Sequence, residues 1–541
     1  MVTNADRIVG MLKAAGVERL FGMPGGGGNA DLIEAAGNAG LPFSLAHTET
    51  ASAFMAAAQA EISGKPGACL ATLGPGAASL MNGVAHAHLD RVPLFVITDC
   101  LDESSAPVMR HQALPHGEMF SSVVKFSARP RPGQVCETLE RALEQVLSLP
   151  PGPVHLDFSS EVTGYNPPSG ETSLGGPRGY PSTSACATKP ACPIPTDVQH
   201  LLHQARRPVL LIGLGARTQP IASAIRGLCE RIGIPALVTY KAKGVVPDRY
   251  PWFGGIFTNA ALERNVLDRA DAFLAVGLDP VEILPRPWMF RQPVISITAW
   301  PLDGSQIPAA LELVGDVVSS LDRVAACLPK SDWASAEVQH LVAEQRRKMR
   351  PAGAGGDLLP HRVVELVAEA YPGARAAVDA GAHMFPVMSL WPASEPLGVL
   401  ISNGLSTMGF ALPAAIGAAL LDTSRPTVAF TGDGGLLMCS GELRTAAREH
   451  LRLRIIVFAD GELSLIKVKQ EQRGYRTDGV SIGDIDWQSV GAGFGVRSVE
   501  ARTEAMLAVC LRETVDHPGP VLIAARISAA TYRATIRALR G

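Results

Sequence analysis

Thr427-Val428-Ala429-Phe430-Thr431-Gly432-Asp433-Gly434-Gly435-Leu436-Leu437 reads as a short apolar strand that turns at glycines into a helix. The helical pattern continues with Leu436, Leu437, Leu443 and Ala447 on one side. Glycines at such a corner let backbone amides approach an anion closely, and the helix N-terminus adds a favourable dipole. Asp433 would repel a bare anion. It fits if a divalent cation bridges its carboxylate and a phosphate, and Mg²⁺ typically takes one or two carboxylates plus phosphate oxygens. Taken alone, Gly-Asp-Gly is also a common turn.

The next apolar run, Arg454–Ala459, ends at Asp460, followed by Gly461 and Glu462. If the two runs are neighbouring parallel strands, their tips bring Asp433 and Asp460 together. Further strand patterns are Leu94–Thr98, Val154–Phe158, Pro208–Ile212, Ala376–Asp379, Val399–Ser402 and Pro520–Ala525, with Ala-rich helical stretches such as Ser52–Ile62 between them. Strand–helix alternation through three segments predicts an α/β protein of three doubly wound, mostly parallel sheets. The expected domains are 1–165, 194–330 and 358–541. The Pro/Gly/Ser/Thr-rich stretch 166–193 and the stretch 331–357, a charged helix then Pro351–Gly356, are expected linkers. Ligands on such sheets bind at the carboxyl ends of strands.

With 541 residues the chain exceeds a single ordinary core. Its 47% hydrophobic and 18% charged residues are those of a globular protein. A net charge of −3 gives no electrostatic case for nucleic acid or anionic membranes. The longest apolar run of note, Ala411–Leu421, falls well short of the ~20 residues of a membrane span. Nine cysteines without a CxxC pair, and a start without a basic-then-apolar leader pattern, predict reduced thiols and a cytoplasmic location.

Gly432-Asp433-Gly434, a gap of twenty-four residues, then Ala459-Asp460 resembles the metal–diphosphate motif of thiamine-diphosphate (ThDP)-dependent enzymes. That family usually carries Asn where Ala459 stands. The resemblance implies side-chain Mg²⁺ ligands at Asp433 and Asp460 and a backbone carbonyl ligand at Glu462, with Gly432, Gly434 and Gly435 lining the diphosphate. Leu45–Met55 resembles the segment holding the family's activating acid, which makes Glu49 the carboxyl partner of the cofactor's N1′. Such a carboxyl promotes removal of the proton at C2, and the cofactor then serves as electron sink. Thr48 replaces the family's usual His. On its residues alone, Thr48-Glu49 also reads as a helix N-cap and first-turn acid.

Other segments agree. Phe21–Gly26 resembles a loop packed at the reactive end of the cofactor, which implicates Gly25 and Gly26; Gly64–Ala77 resembles the run bordering the pyrimidine, with Pro75 in its turn. Arg110-His111-Gln112 resembles the His-Gln pair of acetolactate synthases, with Gln112 facing the thiazolium, His111 beside it and Phe120 a pocket aromatic. Asp379–His383 resembles the diphosphate loop, implying roles for Gly381 and His383. Ile401–Pro413 resembles the segment that bends the cofactor, with Gly404 in the loop and Met408 as the wedge. Leu465, Ile466 and Lys469 fall where synthases place cofactor- or substrate-contacting side chains, although Lys469 reads equally as an exposed helix lysine.

The resemblance spans nearly the whole chain. It is to the acetolactate synthase and pyruvate oxidase–decarboxylase family, closest in look to acetolactate synthase catalytic subunits. Ile401–Gly404, Phe54–Ala58 and Arg476-Thr477 lean toward the catabolic, flavin-independent members. FAD occurs in the biosynthetic ones, and the catabolic look weighs against it. The resemblance implies a homodimer or homotetramer, with Glu49 of one chain facing Asp433 and Asp460 of another. It also implies decarboxylation of a pyruvate-like 2-oxo acid with addition to a second carbonyl compound. Alternatives are a decarboxylase without ligation, an acyl-transfer member, or a non-catalytic homologue. The partial Gly213-Leu214-Gly215 match to a dinucleotide turn lacks its third glycine.

Overall fold

The computed structural model describes residues 2–168, 193–302, 306–353 and 355–541. Most of the expected linker 166–193, with Cys186 and Cys192, lies outside them. The described residues form two compact units, the second carrying two sheets.

The first unit is built on β1 (Leu20–Gly22), β2 (Phe43–Leu45), β3 (Gly67–Ala71), β4 (Leu94–Asp99), β5 (Phe126–Ala128) and β6 (Val154–Phe158). All six are parallel, in the order 2-1-3-4-6-5. β3, β4 and β6 are buried along their whole length, as an apolar run needs when helices cover both sheet faces. The segments Leu412–Thr423 and Cys439–Leu451 belong to this unit as well.

The second unit holds the other two sheets. One comprises β7 (Pro208–Ile212), β8 (Ala236–Val238), β9 (Phe253–Ile256), β10 (Ala272–Val276), β11 (Val294–Thr298) and β12 (Ala309–Val314), in the order 12-11-10-7-8-9. That is the 3-2-1-4-5-6 order of a dinucleotide-binding fold. The other comprises β13 (Arg375–Val378), β14 (Val399–Ile401), β15 (Thr427–Gly432), β16 (Leu453–Ala459), β17 (Arg497–Ala501) and β18 (Val521–Arg526), ordered 14-13-15-16-18-17. It repeats the order of the first sheet. Strand order reverses between β13 and β15, so the loops leaving these two strands open a crevice at the carboxyl edge.

β15 and β16 are parallel neighbours, with Gly432 opposite Phe458. One expectation fails beyond this corner. The single helix expected there is two, Asp433–Cys439 and Glu442–Arg448, broken at Ser440-Gly441. Leu436 and Leu443 are buried, whereas Leu437 is exposed. An apolar periodicity carried across the break therefore assigned Leu437 to the wrong side. No helix among the described residues is long and apolar enough to cross a membrane.

Candidate active site

Asp433 opens the helix after β15, and Asp460 follows β16 directly. Asp433 is buried; its Oδ2 accepts the Gly461 N–H at 2.7 Å and its Oδ1 the Gly434 N–H at 3.1 Å. Asp460 accepts from Ser464 Oγ at 2.6 Å and from the Glu462 N–H at 3.2 Å. Burial raises the Asp433 carboxyl above its ordinary range. It raises Asp460 to about 6, with the nearby Asp433 charge adding to the effect. Two neighbouring acids that repel each other, one buried and one half-buried, are stabilised in their ionised form by a cation between them. The set is all oxygen, which suits Mg²⁺. The Glu462 carboxylate is taken by Lys467 Nζ at 2.6 Å. That leaves the Glu462 backbone carbonyl, rather than its side chain, as the candidate ligand.

The corner is tightly walled. A carbon on Gly434 would meet Leu463 at 2.9 Å and the Met408 methyl at 3.1 Å; one on Gly435 would collide with the Asp379 carboxylate. Asp379 is fully buried and accepts from the N–H groups of Gly409 (3.2 Å), Phe410 (2.7 Å) and Ala411 (2.7 Å) and from Thr431 Oγ1 (2.7 Å). It thus fixes the end of the Gly404–Met408 loop to the tip of β15. This role has no local sequence signature, because the donors lie thirty residues away. His383, buried against Phe458 with ring centroids 5.3 Å apart, stands beside Gly381 and Gly432. Burial drives it down to about 3, so the ring is neutral. Its Nε2 has no partner among the described residues, the state of a buried polar atom awaiting a ligand. These residues fit a metal-bound diphosphate. On the helix Ser464–Gln472, Leu465 packs toward the core, Ile466 is exposed, and Lys469 is exposed with its pKa lowered by desolvation and by Arg540 and Arg473.

In the first unit, Glu49 is the first residue of the helix Glu49–Ser63, and Thr48 is its N-cap, accepting the Ala51 N–H at 3.1 Å. The capping geometry expected from the residues is present. The entry to this helix is held by Glu442, which sequence reasoning missed. Buried Glu442 Oε1 accepts the N–H groups of His47 (2.8 Å) and Thr48 (3.2 Å), and Oε2 accepts from Thr445 Oγ1 at 2.6 Å. Pro75 begins the helix Pro75–Leu89. A carbon on Gly76 would lie 3.3 Å from Glu49 Oε1, and one on Gly74 would lie 2.7 Å from the Gln112 carbonyl oxygen. Glu49 and Gln112 therefore flank the same turn. Gln112 adopts a positive φ of 59° in an exposed loop, with His111 exposed beside it.

Gln112 lines a cavity of about 370 Å³ together with Cys100, Leu114, His116, Arg129 and Asp157. Phe120 does not line this cavity; it is fully buried with its ring 4.6 Å from that of His155. Gly25 packs so that a side-chain carbon would meet Asp99 and Thr72 at 2.7 Å, whereas Gly26 faces open space. Asp99, another residue not foreseen, accepts the Asn29 N–H at 2.8 Å. Burial pushes its carboxyl up to about 7, with Asp157 and Asp31 also raising it.

The glycine turn Gly213–Gly215 follows β7, where a dinucleotide fold holds diphosphate. Here the Leu214 N–H donates to the buried Glu282 carboxylate at 2.8 Å, and a carbon on Gly213 would collide with that carboxylate. Burial holds Glu282 at about 7. With its backbone N–H already given to an internal acid, this turn does not fit the diphosphate of FAD or NAD in the usual way.

Three switch-point sheets, with paired acids and a bare histidine nitrogen at the edge of the last, define a thiamine-diphosphate enzyme. The chain belongs to the thiamine pyrophosphate enzyme family. It matches the N-terminal TPP-binding domain over residues 2–121, the central domain over 196–324 and the C-terminal TPP-binding domain over 379–525. It is 28% identical to the acetolactate synthase of Bacillus subtilis (96% of this chain, 92% of the relative). It is also 28% identical to the acetolactate synthase isozyme 1 large subunit of Escherichia coli (97% and 94%). A probable 2-ketoarginine decarboxylase of Pseudomonas aeruginosa is likewise 28% identical (89% and 86%).

Proposed function

We propose that the protein decarboxylates a pyruvate-like 2-oxo acid and joins the remaining acyl unit to a second carbonyl compound, as an acetolactate synthase does. ThDP, when bound, supplies the electron sink for that decarboxylation. Asp433, Asp460 and the Glu462 carbonyl hold Mg²⁺ against the diphosphate. His383 and the Gly381, Gly432, Gly434 and Gly435 backbone would line the diphosphate, and Met408 with Gly404 would pack against the rest of the cofactor. Glu49 shares a proton with N1′ of the pyrimidine, bordered by Gly25, Gly26 and Pro75. Gln112 and His111, with Thr48 and Lys469, face the substrate side.

The observation that carries this reading is the Asp433–Asp460 pair at adjacent strand ends, with His383 Nε2 of the same sheet edge lacking a partner among the described residues. The acetolactate synthase relatives support the reaction class. By its likeness to acetolactate synthases, the reading includes a homodimer or homotetramer in which Glu49 of one subunit completes the acid pair of another.

A second reading, decarboxylation without ligation, is favoured by the 2-ketoarginine decarboxylase relative. Incubation with ThDP, Mg²⁺ and pyruvate, followed by proton NMR, separates the two. Acetolactate is the expected product. Acetaldehyde would favour the decarboxylase, and untouched pyruvate would overturn pyruvate as the donor.

A further inference from the structure

His116 and Asp157, which line the 370 Å³ cavity, form a buried hydrogen-bonded network with His155 and Thr98, and none of them is assigned a role above. His116 Nε2 lies 3.1 Å from the Gly74 backbone nitrogen. A backbone N–H only donates, so Nε2 is the acceptor and the ring proton sits on Nδ1. Nδ1 in turn lies 2.9 Å from Asp157 Oδ1, which accepts it. The second half of the network is equally determined. Thr98 Oγ1 donates to Asp157 Oδ1 and therefore accepts from His155 Nε2 at 2.8 Å. His155 Nδ1 then accepts from Ser127 Oγ at 2.8 Å. Every ring nitrogen has a partner and one consistent tautomer, which excludes reading the trio as a metal site in this arrangement. Burial alone would raise Asp157, but its hydrogen bonding to the histidine rings outweighs it and holds the acid well below its ordinary range.

What the network grips matters for the site. Gly74 has φ +67° and is the N-cap of the helix Pro75–Leu89, without a side chain to hold its own position. The turn it starts touches Gln112 on one side and Glu49 on the other. A glycine turn is soft. A rigid imidazole, oriented by a buried carboxylate, makes it stiff.

We propose that His116 is a positioning residue for cofactor activation: by accepting the Gly74 N–H at Nε2 while Asp157 holds its Nδ1–H, it fixes the turn lying against both Glu49 and Gln112. This rests on the ThDP reading above and deepens it. Sub-ångström placement of an activating acid governs rate more than affinity.

Two substitutions separate the ends of the ring. His116→Gln places an amide oxygen near the Nε2 position and keeps an acceptor for Gly74. His116→Asn reaches only the Nδ1 position and loses that acceptor. The full chain is compared in two measurements: hydrogen–deuterium exchange of the peptide containing Gly74 without cofactor, and the exchange rate of the ThDP C2 proton in the Mg²⁺-loaded protein. His116→Asn should lose about tenfold in Gly74 protection and about tenfold in C2–H exchange, with ThDP affinity within about threefold. His116→Gln should retain most of both. Unchanged rates in His116→Asn, or equal losses in the two variants, overturn the proposal. A wild-type protein that does not accelerate C2–H exchange overturns the cofactor reading instead, while the Gly74 protection still reports whether His116 holds the turn.

Discussion

The Asp433 carboxylate accepts the Gly461 N–H at 2.7 Å, which ties the tip of β15 to the residue just after Asp460 at the tip of β16. The acid expected to hold the metal therefore also closes the gap between the two strands that present the ligands. Asp433→Asn keeps the volume and removes the charge. Affinity for Mg²⁺-ThDP should fall on the order of 100-fold, because a hard divalent cation loses an anionic oxygen ligand. Isothermal titration with ThDP at several Mg²⁺ concentrations measures it. Unchanged affinity would remove Asp433 from the metal site.

Glu49→Gln tests a different step. Glu49 stands at a helix start already capped by Thr48, so the amide is expected to fold without penalty. A glutamine bonds to N1′ but has no acidic proton to share. Turnover of the accepted 2-oxo acid should fall by roughly 10²–10³-fold, the usual weight of a general acid–base group, while ThDP affinity changes only a few-fold. Carbon dioxide release reads the first and fluorescence quenching by ThDP the second. Undiminished turnover would sink the assignment.

Which parts were legible follows from how local their signals are. Val154–Phe158 and Pro208–Ile212 match their expected bounds because apolar runs between prolines and glycines declare a buried parallel strand. The Gly-Asp-Gly corner and Asp460 were legible because strand, turn and acid are contiguous. Strand order was not, since pairing is decided by packing between distant segments. Nor was Glu442, whose partner His47 lies 395 residues away, or the Asp379 anchor, or the hold of His116 on Gly74. A buried carboxylate serving remote backbone donors looks, in sequence, like any other acid. Residue periodicity also ran through the Ser440-Gly441 break and misassigned Leu437.

Glu442 leads to a prediction on stability. Glu442→Ala leaves the half-buried His47 and Thr48 N–H groups without their acceptor, and the loss of these two hydrogen bonds costs roughly 1–3 kcal/mol together. Glu442→Gln keeps Oε1 and should lose much less. Urea unfolding should place the alanine variant clearly below the glutamine variant, and its turnover should drop further, because the loop it releases leads straight into Glu49. Equal unfolding midpoints would mean that solvent replaces the carboxylate at no cost.

Asp99 gives the pH dependence of folding a definite sign. Its carboxyl sits beneath Gly25 and Gly27, accepts the Asn29 N–H, and has Oδ2 buried without a partner. Burial raises it from an ordinary 3.8 to about 7. An acid whose folded pKa is raised binds its proton more tightly in the folded chain. Its stabilising contribution is therefore complete below pH ~4 and is lost as pH rises toward 7, by up to roughly 4 kcal/mol from linkage. Asp99→Asn keeps an acceptor for Asn29 and cannot ionise. Urea denaturation at steps between pH 5 and 8 should show the wild type losing stability relative to Asp99→Asn as pH rises, with the two curves parallel above about pH 8. Parallel curves throughout would mean that Asp99 stays ionised in the folded protein, and that the glycine loop above it is wet enough to solvate the charge.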